Sequence, residues 1–403
     1  MYDAIIVGAR CAGAATAMLL GRRGYRVLLL DRATLPSDLP QGHFIHKDGP
    51  RRLKDWGLLD SIVASGCGAV DVQLTDFGDF PLVARDLATD GVAWGYGPRR
   101  RVVDQLLLEA AADSGVEVRD RVVVEEFSTA GDRINGIVGR SLGGAHVAER
   151  ARVVVGADGR RSSLARWVGA REYDVVPTLT CYYFSYWSEV EHEGFEAYHR
   201  NRRAVFSHPT NDSLYAVFVA WPIAELPAVR ADVERQFERV VRGCGDLGER
   251  LAAGRHEERF YGATDLPNFF RTPHGPGWAL VGDAGHHKDP YMALGMADAL
   301  RDAEFLADAI DEMFSGTSSE EEAMRRHERR RNDAAVADYR QNLRLAAFEP
   351  VPSEWLQIRA AVRGDAEETR KMAMARVGMI PPASFFNPEH IAALMMRSGF
   401  AAT

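Results

Sequence analysis

Tyr2-Asp3-Ala4-Ile5-Ile6-Val7-Gly8-Ala9-Arg10-Cys11-Ala12-Gly13, near the start of a 403-residue chain, is a short apolar run meeting a glycine-bounded turn. A stretch rich in Ala and Leu and free of Pro follows over 14–23; Gly24-Tyr25 interrupts it, and a second apolar run over 26–30 ends in Asp31. Period and punctuation predict strand, tight turn, helix and strand, with an acid at the tip of the second strand. Gly8 permits the sharp turn and Gly13 lets the helix pack closely on the sheet, so the N–H groups at the helix start form a site for a pyrophosphate. Asp31 falls where a carboxylate accepts hydrogen bonds from an adenosine ribose. Arg10 takes the place of the middle glycine of such a turn, a departure from the pattern.

A chain of this length buries a large core, and two packed lobes with an appendage are expected. Charged residues at 26% and hydrophobic residues at 46% are ordinary for a globular protein. The formal net charge of −8 argues against nucleic acid or an anionic membrane as the main partner. The four cysteines, Cys11, Cys67, Cys181 and Cys244, make no CxxC pair, so reduced thiols are expected rather than a zinc knuckle or redox disulfide. The first strand begins too early to leave room for a signal peptide, and no run of about eighteen apolar residues exists to span a bilayer. The expected setting is cytoplasmic, without stable membrane insertion.

A polar, proline-bearing loop over 32–41 leads to Gly42-His43-Phe44-Ile45-His46. Pro50 marks the start of a helix over 48–56, and the alternating, glycine-punctuated stretch 70–96 predicts a hairpin pair. Arg99-Arg100-Arg101 precedes an amphipathic helix over 102–113. Three cations there oppose the positive end of the helix dipole. A bound diphosphate would remove the conflict; solvated surface arginines are the alternative. Strands follow over 116–118 and 122–127, then a hairpin through Gly131 and Gly143-Gly144. An apolar strand over 151–155 runs into Gly156-Ala157-Asp158-Gly159 and a helix capped by serine.

Residues 174–270 change character. Aromatic and β-branched residues cluster in Cys181-Tyr182-Tyr183-Phe184-Ser185-Tyr186-Trp187, in 204–208 and in 214–221. They read as antiparallel strands of a separate sheet, with a helix over about 225–242. Period two puts Tyr182, Phe184 and Tyr186 on one face and Tyr183 and Trp187 on the other. One face is expected to pack on the helix and the other to line a pocket for a flat apolar ligand, with ordinary core as the alternative; Trp221 is assigned to the same pocket. His192 and His199 fit no metal motif, and no metal is expected. A last buried strand over 277–281 ends in Gly282-Asp283-Ala284-Gly285-His286-His287-Lys288-Asp289-Pro290, and a long Ala-rich helix follows over 295–310. Polar groups at a strand's carboxyl edge mark where open α/β sheets bind ligands. A charged helix over 318–346 and a proline-punctuated helical appendage complete the chain.

Three separated motifs carry a resemblance. The Gly8, Gly13 and Asp31 unit, Asp158-Gly159, and Gly282-Asp283 with downstream Pro290, Gly295 and Asp302 stand in the order and spacing of FAD-dependent monooxygenases of the p-hydroxybenzoate hydroxylase type. The chain resembles this family, the group A aromatic hydroxylases, over most of its length. With the element pattern, the resemblance implies an α/β plus β fold. Its parts are a discontinuous FAD-binding Rossmann-like domain (1–70, 97–173 and 272–345), an antiparallel-sheet substrate domain (71–96 and 174–271) and a helical C-terminal segment (346–403).

The resemblance further implies that Gly8, Arg10, Gly13, Asp31 and Arg32 hold the ADP half of FAD. Arg100 or Arg101 would touch its diphosphate, and Asp158 and Gly159 would serve both FAD and the pyridine nucleotide. Gly282 and Asp283 would bind the ribityl chain, and Pro290 would lie beside the isoalloxazine ring. Backbone N–H groups from Gly295 through Met296 to Ala297 would face the flavin N1–C2=O edge, where a helix N-terminus stabilises the charge of reduced flavin. Ala293, Leu294 and Ala297 replace the Gly, Gln and Asn usual in the family, giving a smaller, more apolar lining. His286 and His287 are candidate proton donors beside the flavin, with exposed loop histidines as the alternative.

The implied activity is hydroxylation or epoxidation of an aromatic or other electron-rich small molecule, with NADPH or NADH reducing FAD and O2 adding at C4a to give the oxygen-transferring hydroperoxide. A second GxGxxG unit is lacking, so no separate nicotinamide domain is expected. Ala220-Trp221-Pro222-Ile223 only partly echoes the Trp-x-Trp-x-Ile-Pro run of flavin halogenases, which demotes halogenation. The nearest rival is an alkene reductase resembling geranylgeranyl reductases, and a flavoprotein without turnover is a third reading. Substrate identity, a homodimer and a partner flavin reductase stay open at this stage.

Overall fold

The computed structural model describes residues 1–36 and 41–397. The middle of the 32–41 loop and the last residues of the 346–403 segment lie outside the described residues. The opening stretch forms strand Tyr2–Val7, helix Cys11–Arg22 and strand Val27–Leu30, which runs parallel to the first. Both strands are buried along nearly their whole length, as parallel strands covered on two faces must be. Gly8 adopts a φ of +107°, and a Cβ there would stand 2.4 Å from the Ala157 carbonyl oxygen. At Gly13 a Cβ would stand 1.8 Å from the Gly8 carbonyl oxygen, so neither position admits a side chain. Arg10 precedes the helix in extended backbone (φ −97°, ψ −167°), which any residue adopts. The departure from glycine therefore carries no conformational cost.

The parallel strands lie in the order Trp278–Leu280, His146–Gly156, Tyr2–Val7, Val27–Leu30, Glu117–Arg119. Parallel neighbours share one carboxyl edge, so the three strands that lead into Gly8, Asp158 and Gly282 deliver those motifs side by side. Helices Cys11–Arg22, Arg100–Asp113 and Gly295–Ser315 cover one face in a single apolar cluster. An antiparallel ribbon of Val122–Ala130, Arg133–Ser141 and the start of His146–Gly156 closes the other.

A second sheet takes the order Thr180–Ser188, Tyr215–Pro222, Arg203–Pro209, Phe195–Arg200, Gln73–Asp76, Pro81–Ala84. Its last two strands form a hairpin from the 70–96 stretch, with Gln73–Asp76 joined in parallel to Phe195–Arg200. Behind it the expected helix over 225–242 is broken into Leu226–Ala231 and Val233–Val241. Asp232 is extended there and its carboxylate accepts from the Arg235 N–H, so a capping acid restarts the helix inside what reads as one amphipathic run. Helix Glu320–Ala346 starts at a capping box of Ser319 and Glu322. Four helices follow, Ser353–Ala361, Ala366–Arg376, Pro382–Phe385 and Pro388–Arg397. Val362, Met372 and Phe385 of this segment pack on Leu82 of the hairpin. Among the described residues no helix is long and apolar enough to cross a membrane.

Candidate functional site

One cavity of about 1710 Å³ runs between the two sheets. Its volume exceeds the roughly 300–1,000 Å³ of a pocket for one small ligand, so it has room for a cofactor and a substrate together. At one end stand Gly8, Arg10, Asp31 and Arg32, with Arg100, Asp158 and Gly159 on the same wall. The Asp31 carboxylate accepts from the Ala9 N–H (2.9 Å) and the Ala33 N–H (2.8 Å), which holds it at the strand tip. Burial lowers the pKa of Arg10 while the charge of Asp31 opposes that shift. Asp158 accepts the N–H and hydroxyl of Ser163 through Oδ2, each at 2.6 Å, whereas its Oδ1 is buried without a partner. A glycine turn, three arginines and an orphaned carboxylate oxygen on one wall fit the phosphates and sugar hydroxyls of a dinucleotide.

The three arginines before helix Arg100–Asp113 divide. Arg100 is buried, paired to Asp104 at 2.9 Å, and donates to Gln41 at 2.7 Å. Arg99 forms an ion pair with Glu258 at 2.6 Å. Arg101, expected as a diphosphate contact, instead pairs outward with Asp212 and is absent from the cavity wall. The dipole conflict is thus answered within the chain, by three carboxylates.

Gly282, Asp283, Pro290, Gly295 and Met296 line the middle of the cavity. His286 and His287 line it as well, but they are not exposed loop residues: they form a short strand paired to Asn268–Arg271 and are buried. The His286 ring stacks on Phe270 at 5.1 Å, with Nδ1 3.2 Å from Asp302 and Nε2 3.6 Å from Asp298. Lys288 pairs with Asp298, and Arg301 bridges Asp298 (2.6 Å) and Asp302 (2.8 Å). Burial works against ionisation of Asp298, yet Lys288 and Arg301 hold its carboxyl well below the usual range. His287 Nδ1 faces the Pro267 carbonyl oxygen. Sequence reading missed this cluster because its members face one another only once strand and helix are packed.

The far end is aromatic. Phe184 and Phe218 stand opposite each other in register and stack at 4.8 Å, and Phe206 stands opposite Phe218 on the next strand. All three line the cavity with Tyr182, whose hydroxyl donates to Asp289 at 3.0 Å. Burial raises the Asp289 carboxyl to about 6, against the hydrogen bonds it accepts. Tyr186 and Trp221, both assigned to this pocket from sequence, are not on its wall. The Tyr186 hydroxyl lies 3.0 Å from His43 Nε2, and Arg99 covers its ring at 4.2 Å. Trp221 is opposite Cys181, so it shares the face of Tyr183 and Trp187 and packs against Phe237 of the helical side. Residues opposite in antiparallel strands point the same way. Trp221 therefore follows odd-numbered Cys181, and the cavity face receives Phe218 and Ala220. His192 stacks on Tyr215 at 5.0 Å and His199 on Phe77 at 4.4 Å. Among the described residues no group of three or more His, Cys, Asp or Glu could hold a metal ion.

The family described as FAD binding domain matches residues 1–339. The hydroxylase DnrF of Streptomyces peucetius subsp. caesius, an aklavinone 12-hydroxylase, is 29% identical over 185 residues, 41% of this chain and 37% of that protein. The match thus spans well under two thirds of that relative. A 1H-pyrrole-2-carbonyl-(peptidyl-carrier protein) chlorinase of Pseudomonas fluorescens is 23% identical over 437 residues, covering 97% of this chain and 95% of that one. The solved structure of the myxobacterial chondrochloren halogenase CndH superposes with a TM-score of 0.79 at 21% identity, over 100% of this chain and 99% of its own. At that identity the likeness shows the fold.

Proposed function

The chain belongs to the FAD binding domain family of group A flavoprotein monooxygenases, and from that membership we propose that it is an FAD-dependent monooxygenase. Its substrate is an aromatic or otherwise electron-rich small molecule, hydroxylated or epoxidised with NADPH or NADH as reductant. The observation that carries this reading is the continuity of one cavity from the glycine turn to the phenylalanine row.

FAD, when bound, supplies the electron transfer and oxygen chemistry. The chain binds, orients and excludes water. The helix start after Arg10 offers N–H groups to the diphosphate, with Arg10 and Arg100 supplying positive charge. Asp31 and Asp158 would hold ribose hydroxyls, and Asp283 would hold the ribityl chain. Gly295 and Met296 open helix Gly295–Ser315, whose positive end would stabilise negative charge on the reduced flavin, with Pro290 lining the same part of the cavity. Phe184, Phe206 and Phe218 grip a flat apolar substrate, and the C-terminal residues Pro350, Trp355 and Phe386 wall the same cavity against water.

The test is O2 uptake measured beside NAD(P)H oxidation with a panel of phenols and isoprenoids. Equal uptake and oxidation with an oxygenated product are expected. Reductant consumption with a saturated product and no O2 uptake would replace this reading with an alkene reductase. A second reading, halogenation, has one observation in its favour: the chlorinase and CndH align along essentially the whole chain, whereas the DnrF match covers 41%. The same assays with added chloride or bromide separate the two by product mass.

A further inference from the structure

We propose that His286, set between Asp298 and Asp302, carries a proton that makes the start of helix Gly295–Ser315 electropositive, so that this one charge governs how readily a flavin bound there accepts electrons. The proposal rests on the flavin-binding part of the reading above and not on its oxygen chemistry.

Asp298, Arg301 and Asp302 stand at i, i+3 and i+4, which puts them on one face of the helix. That face meets the short strand His286–His287, and His286, Lys288, Asp298, Arg301 and Asp302 are all buried. Phe270, opposite His286 in the paired strand, stacks on the imidazole with the planes 9° apart, which fixes the ring. Both ring nitrogens then face carboxylates, Nδ1 toward Asp302 (3.2 Å) and Nε2 toward Asp298 (3.6 Å). These are contacts between charges rather than aligned hydrogen bonds.

A neutral imidazole has one N–H and one lone pair, whereas an ionised carboxylate only accepts. In either neutral tautomer the lone pair of His286 meets a negative oxygen; an imidazolium presents an N–H to both. Both carboxylates are ionised. Burial opposes this, but Lys288 and Arg301 hold Asp298 below the usual range, and Arg301 and His286 do the same for Asp302. The other charged and titratable groups packed around the ring are occupied elsewhere. Arg331 donates to the carbonyls of Arg271 (3.1 Å) and Gly285 (3.3 Å), Arg271 pairs with Glu172 (2.8 Å), and burial holds His327 neutral at about 3.

Position gives the proton its consequence. Asp298 is an acid in the first turn of its helix, where it works against the positive end that favours an anion. Lys288 and Arg301 match the two carboxylates in charge, so the proton on His286 leaves these five residues with one net positive charge. His286, Lys288 and Asp298 line the cavity together with Pro290, Gly295 and Met296. Hydride transfer from NAD(P)H delivers two electrons and one proton, so a bound flavin gains one negative charge as the oxidised nicotinamide leaves. A buried positive charge favours that product. Lysine, arginine and paired carboxylates keep their charge around neutral pH and histidine need not, so the flavin potential acquires a pH dependence through His286.

The experiment uses FAD-loaded protein carrying 15N-labelled histidine, as wild type, His286→Asn and Asp302→Asn. The NMR signal lost in His286→Asn identifies the residue, and in wild type at pH 7 both of its nitrogens are expected to be protonated. In anaerobic dye-coupled redox titrations His286→Asn should shift the flavin toward the oxidised form tenfold or more at pH 7, about 30 mV for a two-electron couple. That difference should shrink over the pH range in which the wild-type signal shows the proton leaving. Asp302→Asn should move the range to lower pH, with FAD retained. A neutral imidazole at pH 7, a shift of the flavin equilibrium below twofold, or a folded protein that binds no FAD would overturn the proposal. If His286→Asn fails to fold, the signal displaced by Asp302→Asn and the accompanying change in potential decide instead. A His286-dependent potential in a protein that forms no oxygenated product would sink the monooxygenase reading and leave this one standing.

Discussion

His199 Nδ1 lies 2.9 Å from the hydroxyl of Tyr291, a link between the antiparallel sheet and the residue that follows Pro290. Burial, then the charges of Arg376, Arg359 and Arg200, lower the imidazole pKa to about 3, so the pair is a neutral hydrogen bond at physiological pH. Tyr291→Phe leaves the ring nitrogen without its partner. Stability should fall by about 1–3 kcal/mol in urea unfolding, with flavin content unchanged; an unaltered midpoint would show that water replaces the hydroxyl.

Arg100 and Arg101 are neighbours in sequence with opposite fates. Arg100→Ala strands the buried Asp104 carboxylate, which then keeps, among the described residues, only the Cys11 thiol (3.2 Å) as a side-chain partner. A loss of about 3–5 kcal/mol is expected, together with weakened FAD retention on gel filtration. Arg101→Ala removes an exposed pair with Asp212 and should change stability by less than about 1 kcal/mol, with FAD retained. Equal behaviour of the two variants would contradict the division.

Phe218 and Trp221 are three residues apart on one strand and serve opposite faces. Phe184→Ala and Phe218→Ala should weaken binding of a flat ligand with FAD still bound. Trp221→Ala should instead cost about 3–5 kcal/mol of stability through a cavity on the helical side. Calorimetry with 2-naphthoate, paired with thermal melts, reads both effects. A binding defect in a stable Trp221 variant would reverse the assignment of faces.

Asp289 gives a pH dependence of defined sign. Its carboxyl, raised by burial to about 6, accepts from Thr180, Tyr182 and the Tyr291 N–H. In the unfolded chain it ionises near 3.8, so between about pH 4 and 6 the folded state keeps a proton that the unfolded state has released. This contribution to stability is greatest below about pH 4 and declines by about 3 kcal/mol as pH rises through about 6. His199 and His208, held neutral by burial at about 3 and about 4, act in the opposite sense below about pH 6.5. The measurement is therefore the stability difference between wild type and Asp289→Asn. It should fall by about 3 kcal/mol from pH 4 to pH 7, and a flat difference would show the carboxyl to be unshifted.

The sequence by itself determined the glycine turn and the sheet edge at one end of the cavity. Gly8 and Gly13 are the positions where backbone meets backbone, and the apolar strands between polar turns leave few places for the motifs other than one carboxyl edge. Period two likewise put Tyr182 and Phe184 on one side of their strand. These are local constraints, written in φ angles and in spacing over a few residues. Tertiary structure decided the rest. Trp221 changed sides because inter-strand register sets which residue stands opposite Cys181, and register depends on the whole sheet. Arg101 turned outward to Asp212, and His286 came to lie between Asp298 and Asp302, because the charge a side chain meets is fixed by packing between segments far apart in the chain. Arg376 lies more than 150 residues from each of Phe184, Phe206 and Phe218, and no local pattern relates it to them. Folding of the C-terminal helices onto the sheet is what brings Arg376 to the cavity wall.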